Sequence, residues 1–287
     1  MEYAYDPPDE DMSRHVVDRL IEERAPRLIT RPRLWATIRN IAYPLLGYRK
    51  AVAIADAIAE RSGEGTLRWV SDYLYLKPKC ENLDVVPETG GCVVIANHPG
   101  GIADGVAVWD ALRARRPDVC FFANRDALRV SPGLSDLIIP VEWRQNFRSR
   151  ENARETLRSA LEAFKSDRCV VIFPAGRMAE WNWKRFSLDE KPWAPTAVSF
   201  ARRFKQPIIP LGVAQHMPIL YYALAQVHTE LKDMTVFHGF IGKKGARYPL
   251  RFGAPIDPAT LPENEAESTA IVKAACEKLA WSKGGGG

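Results

Sequence analysis

The sequence predicts an α/β fold, with a largely parallel or mixed central sheet flanked by helices and an N-terminal helical segment ahead of it. Three observations carry this. The continuous apolar runs "CVVIAN" at 92–97, "CVVIFPAG" at 169–176 and "QPIIPLGV" at 206–213 are rich in β-branched residues and read as strands buried on both faces. Helical patterns alternate with them, the clearest being "ENARETLRSALEAFKS" at 151–166. The first seventy-nine residues show helical spacing instead of strand patterns. A chain of 287 residues, 46% apolar and 26% charged, suits one large domain, or one domain with a smaller appendage.

In chain order, residues 14–24 form a short charged helix, and Pro26 and Pro32 break the chain after it. Leu34, Trp35, Ile38, Ile41, Ala42, Leu45 and Leu46 then recur at spacings of three and four, a helical stripe that Pro44 should kink or end. Helices follow at 50–61, ending at "SGEG", and through Leu67, Val70 and Leu74. From residue 80 the expected order is strand 92–97, helix 104–115, strand 119–124, a loop with Pro132, strand 136–143, helix 151–166, strand 169–176, helix 194–204 and strand 206–214. "MTVFHGFI" (234–241) and "YPLRFGAPI" (248–256) are further strand candidates, and 264–282 is a terminal helix. The expected organisation is 1–79 as a basic helical segment, 80–283 as the α/β domain and "GGGG" at 284–287 as an appended or flexible tail.

The five cysteines are scattered and form no C-x-x-C, which argues against a disulfide framework or zinc spacing and for a reducing compartment. The acidic opening "MEYAYDPPDEDM" has no apolar core, so it does not read as a signal peptide. No stretch of eighteen uncharged apolar residues occurs, so no ordinary transmembrane helix is expected. Net charge is +5, but residues 13–50 alone carry nine Arg or Lys against three Asp or Glu. A basic, Trp-bearing amphipathic helix suits an anionic membrane interface, and it equally suits packing on the protein's own core. The same helical stripe that holds Trp35 argues against a nucleic-acid groove, so no nucleic-acid partner is expected.

In open α/β sheets function gathers at the carboxyl ends of strands. Two ends stand out, "NHPGGIAD" at 97–104 and "FPAGRMAEW" at 173–181. His98 directly follows an apolar strand, and histidine is the usual general base near neutral pH. Asp104 is a candidate to hold its other ring nitrogen, with Gly100 and Gly101 allowing the chain to turn back. The plainer readings are a helix N-cap for Asp104 and a turn histidine for His98. At the second end Gly176 permits a tight turn after Pro174, and Arg177 presents a fork of donors suited to phosphate or carboxylate.

Together these motifs resemble the glycerophospholipid, or lysophospholipid, acyltransferase superfamily, the family of 1-acylglycerol-3-phosphate acyltransferases. "NHPGGIAD" is similar to its His–Asp motif, "FPAGR" to its Phe-Pro-Glu-Gly motif and "QPIIPLGV" to its proline-bearing strand. "FFANRDALRVSPG" corresponds to the loop with a basic residue, where Arg125 is the candidate. The order and spacing agree over residues 80–215. Two positions depart from the pattern. Five residues separate His98 from Asp104 where the family has four, as in the "NHP-x-G-G" turns of hemolysin-like and lyso-ornithine-lipid acyltransferases, and Ala175 stands where the family has an acceptor-associated Glu.

The resemblance implies a lysolipid O-acyltransferase. His98 is the base and Asp104 its orienter, Arg125, Pro174, Gly176 and Arg177 line the substrate site, and backbone N–H groups of the turns serve the oxyanion. It implies acyl-CoA or acyl-carrier protein as co-substrate, no metal and no other cofactor. It also implies peripheral association with the cytoplasmic face of the inner (plasma) membrane through the N-terminal helices. The departure at Ala175 leaves the acceptor open to a lyso-aminolipid, another lipid hydroxyl or an amine. A thioesterase or lipid hydrolase using the same dyad, and a non-catalytic lipid-binding protein, are the alternative readings.

Overall fold

The computed structural model describes residues 14–142 and 149–281. The acidic opening, Trp143 at the end of one strand candidate, Ser282 at the end of the terminal helix and the glycine tail lie outside the described residues. The chain divides into two compact units. The first takes the chain up to Tyr75 together with Arg125–Asp136 and Met217–Lys244, and the second takes Leu76–Asn124, Leu137–His216 and the chain from Gly245.

The first unit is helical. It opens with α1 (Val16–Glu23), α2 (Pro26–Ile29), α3 (Pro32–Leu46), α4 (Tyr48–Ile58) and α5 (Gly63–Leu74). Pro26 and Pro32 each stand in the first turn of a helix, where the missing N–H costs nothing. Pro44 does not stop α3 at once. It falls in the last turn, and the helix ends two residues on, where Gly47 takes φ +79°. Ser62, in the stretch expected to close one helix, caps the next by accepting the Gly65 N–H at 3.2 Å. The apolar stripe of α3 is divided. Trp35 is buried with Ala25, Leu28 and Met234, and Ile38, Ala42 and Leu46 pack against that cluster. Leu34, Ile41 and Leu45 stay exposed.

The second unit is built on a sheet whose strands are β1 (Lys77–Glu81), β2 (Cys92–Ala96), β3 (Cys120–Asn124), β4 (Ile138–Val141), β5 (Cys169–Ile172), β8 (Ile208–Val213) and β9 (Arg247–Phe252), with a small separate hairpin of β6 (Glu180–Asn182) and β7 (Ser187–Asp189). The sheet order is β1-β9-β8-β2-β5-β3-β4. All its neighbours are parallel except β8 and β9. This is the mixed, mostly parallel sheet expected. Helices α6 (Ile102–Leu112), α8 (Arg150–Lys165), α9 (Thr196–Phe204) and α13 (Glu265–Trp281) accompany it. Strands β2, β5 and β8 are buried along their whole length, as continuous β-branched runs require. Gly212 lets α13 lie directly on β8, because a Cβ there would overlap the backbone of Ala280. Cys92 and Cys169 are register partners, both fully buried, and the five cysteines are free thiols.

One strand expectation is overturned. "MTVFHGFI" is helical. The remaining first-unit helices are α7 (Asp126–Val130), α10 (Ile219–Val227), α11 (Thr229–Met234) and α12 (Val236–Ile241), and the last two cover that stretch. Met234, Phe237 and Phe240 recur every three residues, a helical period that outweighs the β-branched content of so short a window. Gly239 fits it closely, since a Cβ would overlap the Met217 side chain. Strand β1 and the β6–β7 hairpin went unpredicted, because five mixed-polarity residues and two three-residue strands give no alternation long enough to read.

Candidate active site

Strands β2 and β5 are neighbours, with Ile95 opposite Ile172, so the two predicted strand ends open side by side. Asn97 extends β2 by using its side chain in place of backbone. Its Nδ2 donates to the Val213 carbonyl at 2.9 Å, and its Oδ1 accepts the Val213 N–H at 2.7 Å. That fixes the exit of β2 against the end of β8. The next residue is His98, whose side chain is 21% exposed. Its ring lies 4.5 Å from that of Phe173, and its carbonyl accepts the Ala179 N–H at 3.2 Å.

The chain then turns through Pro99, Gly100 and Gly101 into α6. Gly101 is the N-cap residue, with φ +75°. Asp104 is therefore not the cap. It sits in the first turn of α6, fully buried, where the helix dipole favours a carboxylate. His98 Nδ1–H donates to Asp104 Oδ2 at 2.9 Å, and the Gly100 N–H donates to the same oxygen at 2.8 Å. The hydroxyl of Tyr248, on β9, donates to Asp104 Oδ1 at 2.6 Å. Burial first, and the neighbouring Asp104 second, hold the Tyr248 phenol well above its usual pKa, so it remains a donor. Gly100 has no room for a side chain, as a Cβ would overlap Asp104 Oδ1 and the Tyr248 hydroxyl. With Nδ1 engaged by Asp104, Nε2 is left as the basic atom.

At the second strand end, the Gly176 N–H donates to the Phe173 carbonyl at 3.0 Å, and Gly176 takes φ +62°. Pro174 is buried inside this turn, and its carbonyl accepts the Ala194 N–H at 3.1 Å. Arg177 follows, partly buried. Arg125 stands just before α7 and belongs to the first unit.

Glu190 lies just beyond β7 and was not anticipated from the sequence. Its Oε1 accepts the His98 backbone N–H, and its Oε2 accepts the Trp193 Nε1–H at 2.7 Å. Burial raises the Glu190 carboxyl pKa, and the two donors and the His98 charge offset part of that. The N–H groups of His98 and Gly100 are thus already committed to Glu190 and Asp104, which removes these two from the expected oxyanion donors. Asn97 had a local signal, its place beside His98. Tyr248 lies 144 residues from Asp104 and had none. Among the described residues no group of three or more His, Cys, Asp or Glu is placed to hold a metal ion.

Comparison with known proteins finds similar sequences and a similar fold. Residues 77–214 match the protein family described as Acyltransferase. The lyso-glycine lipid O-acyltransferase of Phocaeicola vulgatus is 25% identical over 156 residues, 54% of this chain and 53% of that protein. The alignment therefore spans about half the length of that relative. The lyso-glycine lipid O-acyltransferase of Bacteroides thetaiotaomicron is 21% identical over 218 residues, 74% of each chain. The crystal structure of the 1-acyl-sn-glycerophosphate (LPA) acyltransferase PlsC from Thermotoga maritima superposes with a TM-score of 0.47 at 14% identity, over 89% of this chain and 95% of that one. Residues 77–214 thus carry an Acyltransferase domain, similar to that of lysolipid acyltransferases.

Proposed function

We propose that the protein transfers a fatty acyl chain from an acyl thioester, acyl-CoA or acyl-carrier protein, to the hydroxyl of a lysolipid. The observation that carries this is the 2.9 Å hydrogen bond from His98 Nδ1 to the buried carboxylate of Asp104. His98 Nε2 removes the proton from the acceptor hydroxyl as its oxygen attacks the thioester carbonyl. The tetrahedral intermediate collapses, the C–S bond breaks, and the imidazolium returns its proton to the leaving thiolate. Asp104 keeps Nδ1 protonated and stabilises the imidazolium while it exists. The thioester supplies all the driving chemistry, so the reading calls for no metal or further cofactor. Pro174 and Gly176 shape the turn beside the base. Arg177 and Arg125 are assigned to anionic parts of the substrates.

The names of the two relatives and the Ala175 departure favour a lyso-aminolipid acceptor over a glycerol phosphate. Peripheral docking on an anionic membrane, at its cytoplasmic face, is part of the reading. Its support is the exposed Leu34, Ile41 and Leu45 of α3 together with the exposed Arg31, Arg33 and Arg39 of the same region. No helix among the described residues is long and apolar enough to cross a membrane.

The test is acyl transfer by wild type and His98→Ala, using labelled long-chain acyl-CoA and acyl-carrier protein against a panel of lysolipids that includes a lyso-glycine lipid. Acceptor-dependent product that vanishes in the variant is the expected result. Thioester cleavage without acylated lipid would replace the transferase with a hydrolase. Folded, vesicle-bound protein that turns over no donor would leave a lipid-binding module.

A further inference from the structure

We propose that Glu190 is a positioning residue for the general base. Its carboxylate pins the His98 backbone through the N–H and sets a second negative charge near the imidazole. This rests on His98 acting as the base.

His98 stands between two carboxylates that hold different parts of it. Asp104 takes the ring, through Nδ1. Glu190 takes the main chain, through the N–H. The turn beyond Pro99 runs through Gly100 and Gly101, so a ring contact alone does not fix the course of the main chain there. The main chain of His98 is held from two sides. Glu190 accepts its N–H, and Ala179 donates to its carbonyl at 3.2 Å. Both partners come from the segment that carries the β6–β7 hairpin, Ala179 immediately before β6 and Glu190 immediately after β7. The hairpin is a bracket whose two feet stand on the base.

Glu190 is itself held in place. Trp193 donates Nε1–H to its second oxygen at 2.7 Å, and the Trp193 ring is buried in the core of the second unit. The charged groups that act on it are His98 and, from α13, Lys273. Burial first, with the Glu190 charge adding to it, raises the pKa of the Cys276 thiol on the same helix. Asp189, its neighbour in sequence, is engaged by Asn182 and Arg185, and Lys191 lies 3.9 Å from Glu180. A carboxylate kept partly buried against the burial that opposes its charge, with both oxygens accepting hydrogen bonds, is a costly arrangement unless the charge is used. Charge-assisted bonds of this kind hold a group more firmly than neutral ones.

The experiment uses two variants of the full chain. Glu190→Ala removes both bonds. Glu190→Gln combined with Trp193→Phe keeps a carbonyl oxygen for the His98 N–H, removes the charge and avoids setting an amide NH2 against the indole N–H. Each is assayed for kcat and for KM of donor and acceptor, beside wild type and His98→Ala, with circular dichroism and melting to establish folding. Glu190→Ala is expected to lose about a hundredfold in kcat with little change in either KM, and the double variant to recover about tenfold of that loss, by analogy with partners that orient catalytic ligands. A folded Glu190→Ala protein with wild-type kcat would overturn the proposal. So would a loss confined to the KM of the acceptor, which would make Glu190 a substrate contact, and so would a folded double variant no better than Glu190→Ala. Should Glu190→Ala fail to fold, the double variant alone decides, with kcat reduced about tenfold at unchanged KM expected and wild-type kcat overturning it. Failure of the underlying reading is recognised separately, because wild type would then give no acyl transfer that depends on His98.

Discussion

Tyr248→Phe removes a single oxygen from a fully buried ring and leaves the rest of the site in place. The lost contact is the 2.6 Å hydrogen bond to Asp104 Oδ1. A hydrogen bond from a neutral donor to a charged acceptor contributes about 1.5–3 kcal/mol. The Asp104 carboxylate accepts three such bonds, two at Oδ2 from His98 and Gly100 and one at Oδ1 from Tyr248. With Tyr248 gone, Oδ1 loses this donor in a position that water does not reach, and the carboxylate is free to rotate about its remaining two bonds. The loss therefore falls on two observables. Stability should drop by about 2 kcal/mol, which for a domain of this size is roughly 4–8 °C in Tm. On the proposed mechanism catalysis should drop as well, because there Asp104 acts most strongly when His98 has become an imidazolium, along the reaction. If about 1.4 kcal/mol of the loss appears there, kcat falls about tenfold with KM unchanged. The assay is steady-state acyl transfer on vesicle-borne lysolipid, with melting measured on the same preparations. A variant that melts lower but keeps wild-type kcat would refute the catalytic part, and one unchanged in both would refute the hydrogen bond itself.

Gly100→Ala should fold with a displaced turn and lose at least about a hundredfold in kcat, since the added methyl overlaps Asp104 Oδ1 and the Tyr248 hydroxyl; transfer near the wild-type rate would mean the turn relaxes without moving the dyad. Replacing Ile41 and Leu45 together with Gln should weaken cosedimentation with phosphatidylglycerol vesicles about tenfold without lowering Tm, because both side chains are exposed; undiminished binding would remove α3 from the membrane contact. Glu190 also predicts a pH dependence of stability. Its folded pKa is raised above the ordinary 4.5, so the folded state binds a proton more tightly than the unfolded state. Its contribution is then fullest below 4.5 and is lost as pH rises through the raised folded value. Urea denaturation across that window should show wild type losing stability relative to the Glu190→Gln, Trp193→Phe pair, with Lys273 and His98 as the charged neighbours common to both proteins. A constant difference would contradict the raised pKa.

The parts of the fold and site legible in the sequence share a physical cause. Strands β2, β5 and β8 are buried on both faces, so their composition is nearly all apolar and the pattern is local. The turns after β2 and β5 are constrained by glycine and proline, which also act locally. His98 and Asp104 were therefore visible as a pair, and the structure brings them together. What was not legible depends on crossings of the chain. Tyr248 reaches Asp104 only because β9 enters the sheet beside β8. Glu190 reaches His98 only because two three-residue strands fold back between Ala179 and it. The split stripe of α3 is of the same kind. Trp35 and Leu45 carry the same helical signal, and only the position of Met234, some two hundred residues later in the chain, decides which of them is covered.

The five-residue interval between His98 and Asp104 follows from how the turn is made. The carboxylate must meet Nδ1, yet it sits in the first turn of a helix whose direction is set by packing on the sheet. The extra residue has to be taken up before the helix starts. Gly101 does this by adopting φ +75° as the N-cap, a conformation that a β-branched or bulky residue would resist. Gly100 then passes so close to Asp104 that its own N–H donates to Oδ2 at 2.8 Å. The two glycines have separate tasks, one supplying a dihedral angle and the other clearance. Because the Gly100 N–H and the His98 ring share Oδ2, the turn and the imidazole are oriented by a single oxygen, while Tyr248 secures the other. Fixing both oxygens stops the carboxylate from rotating, and that fixity is what an orienting group must supply if the imidazole is to present Nε2 in one direction.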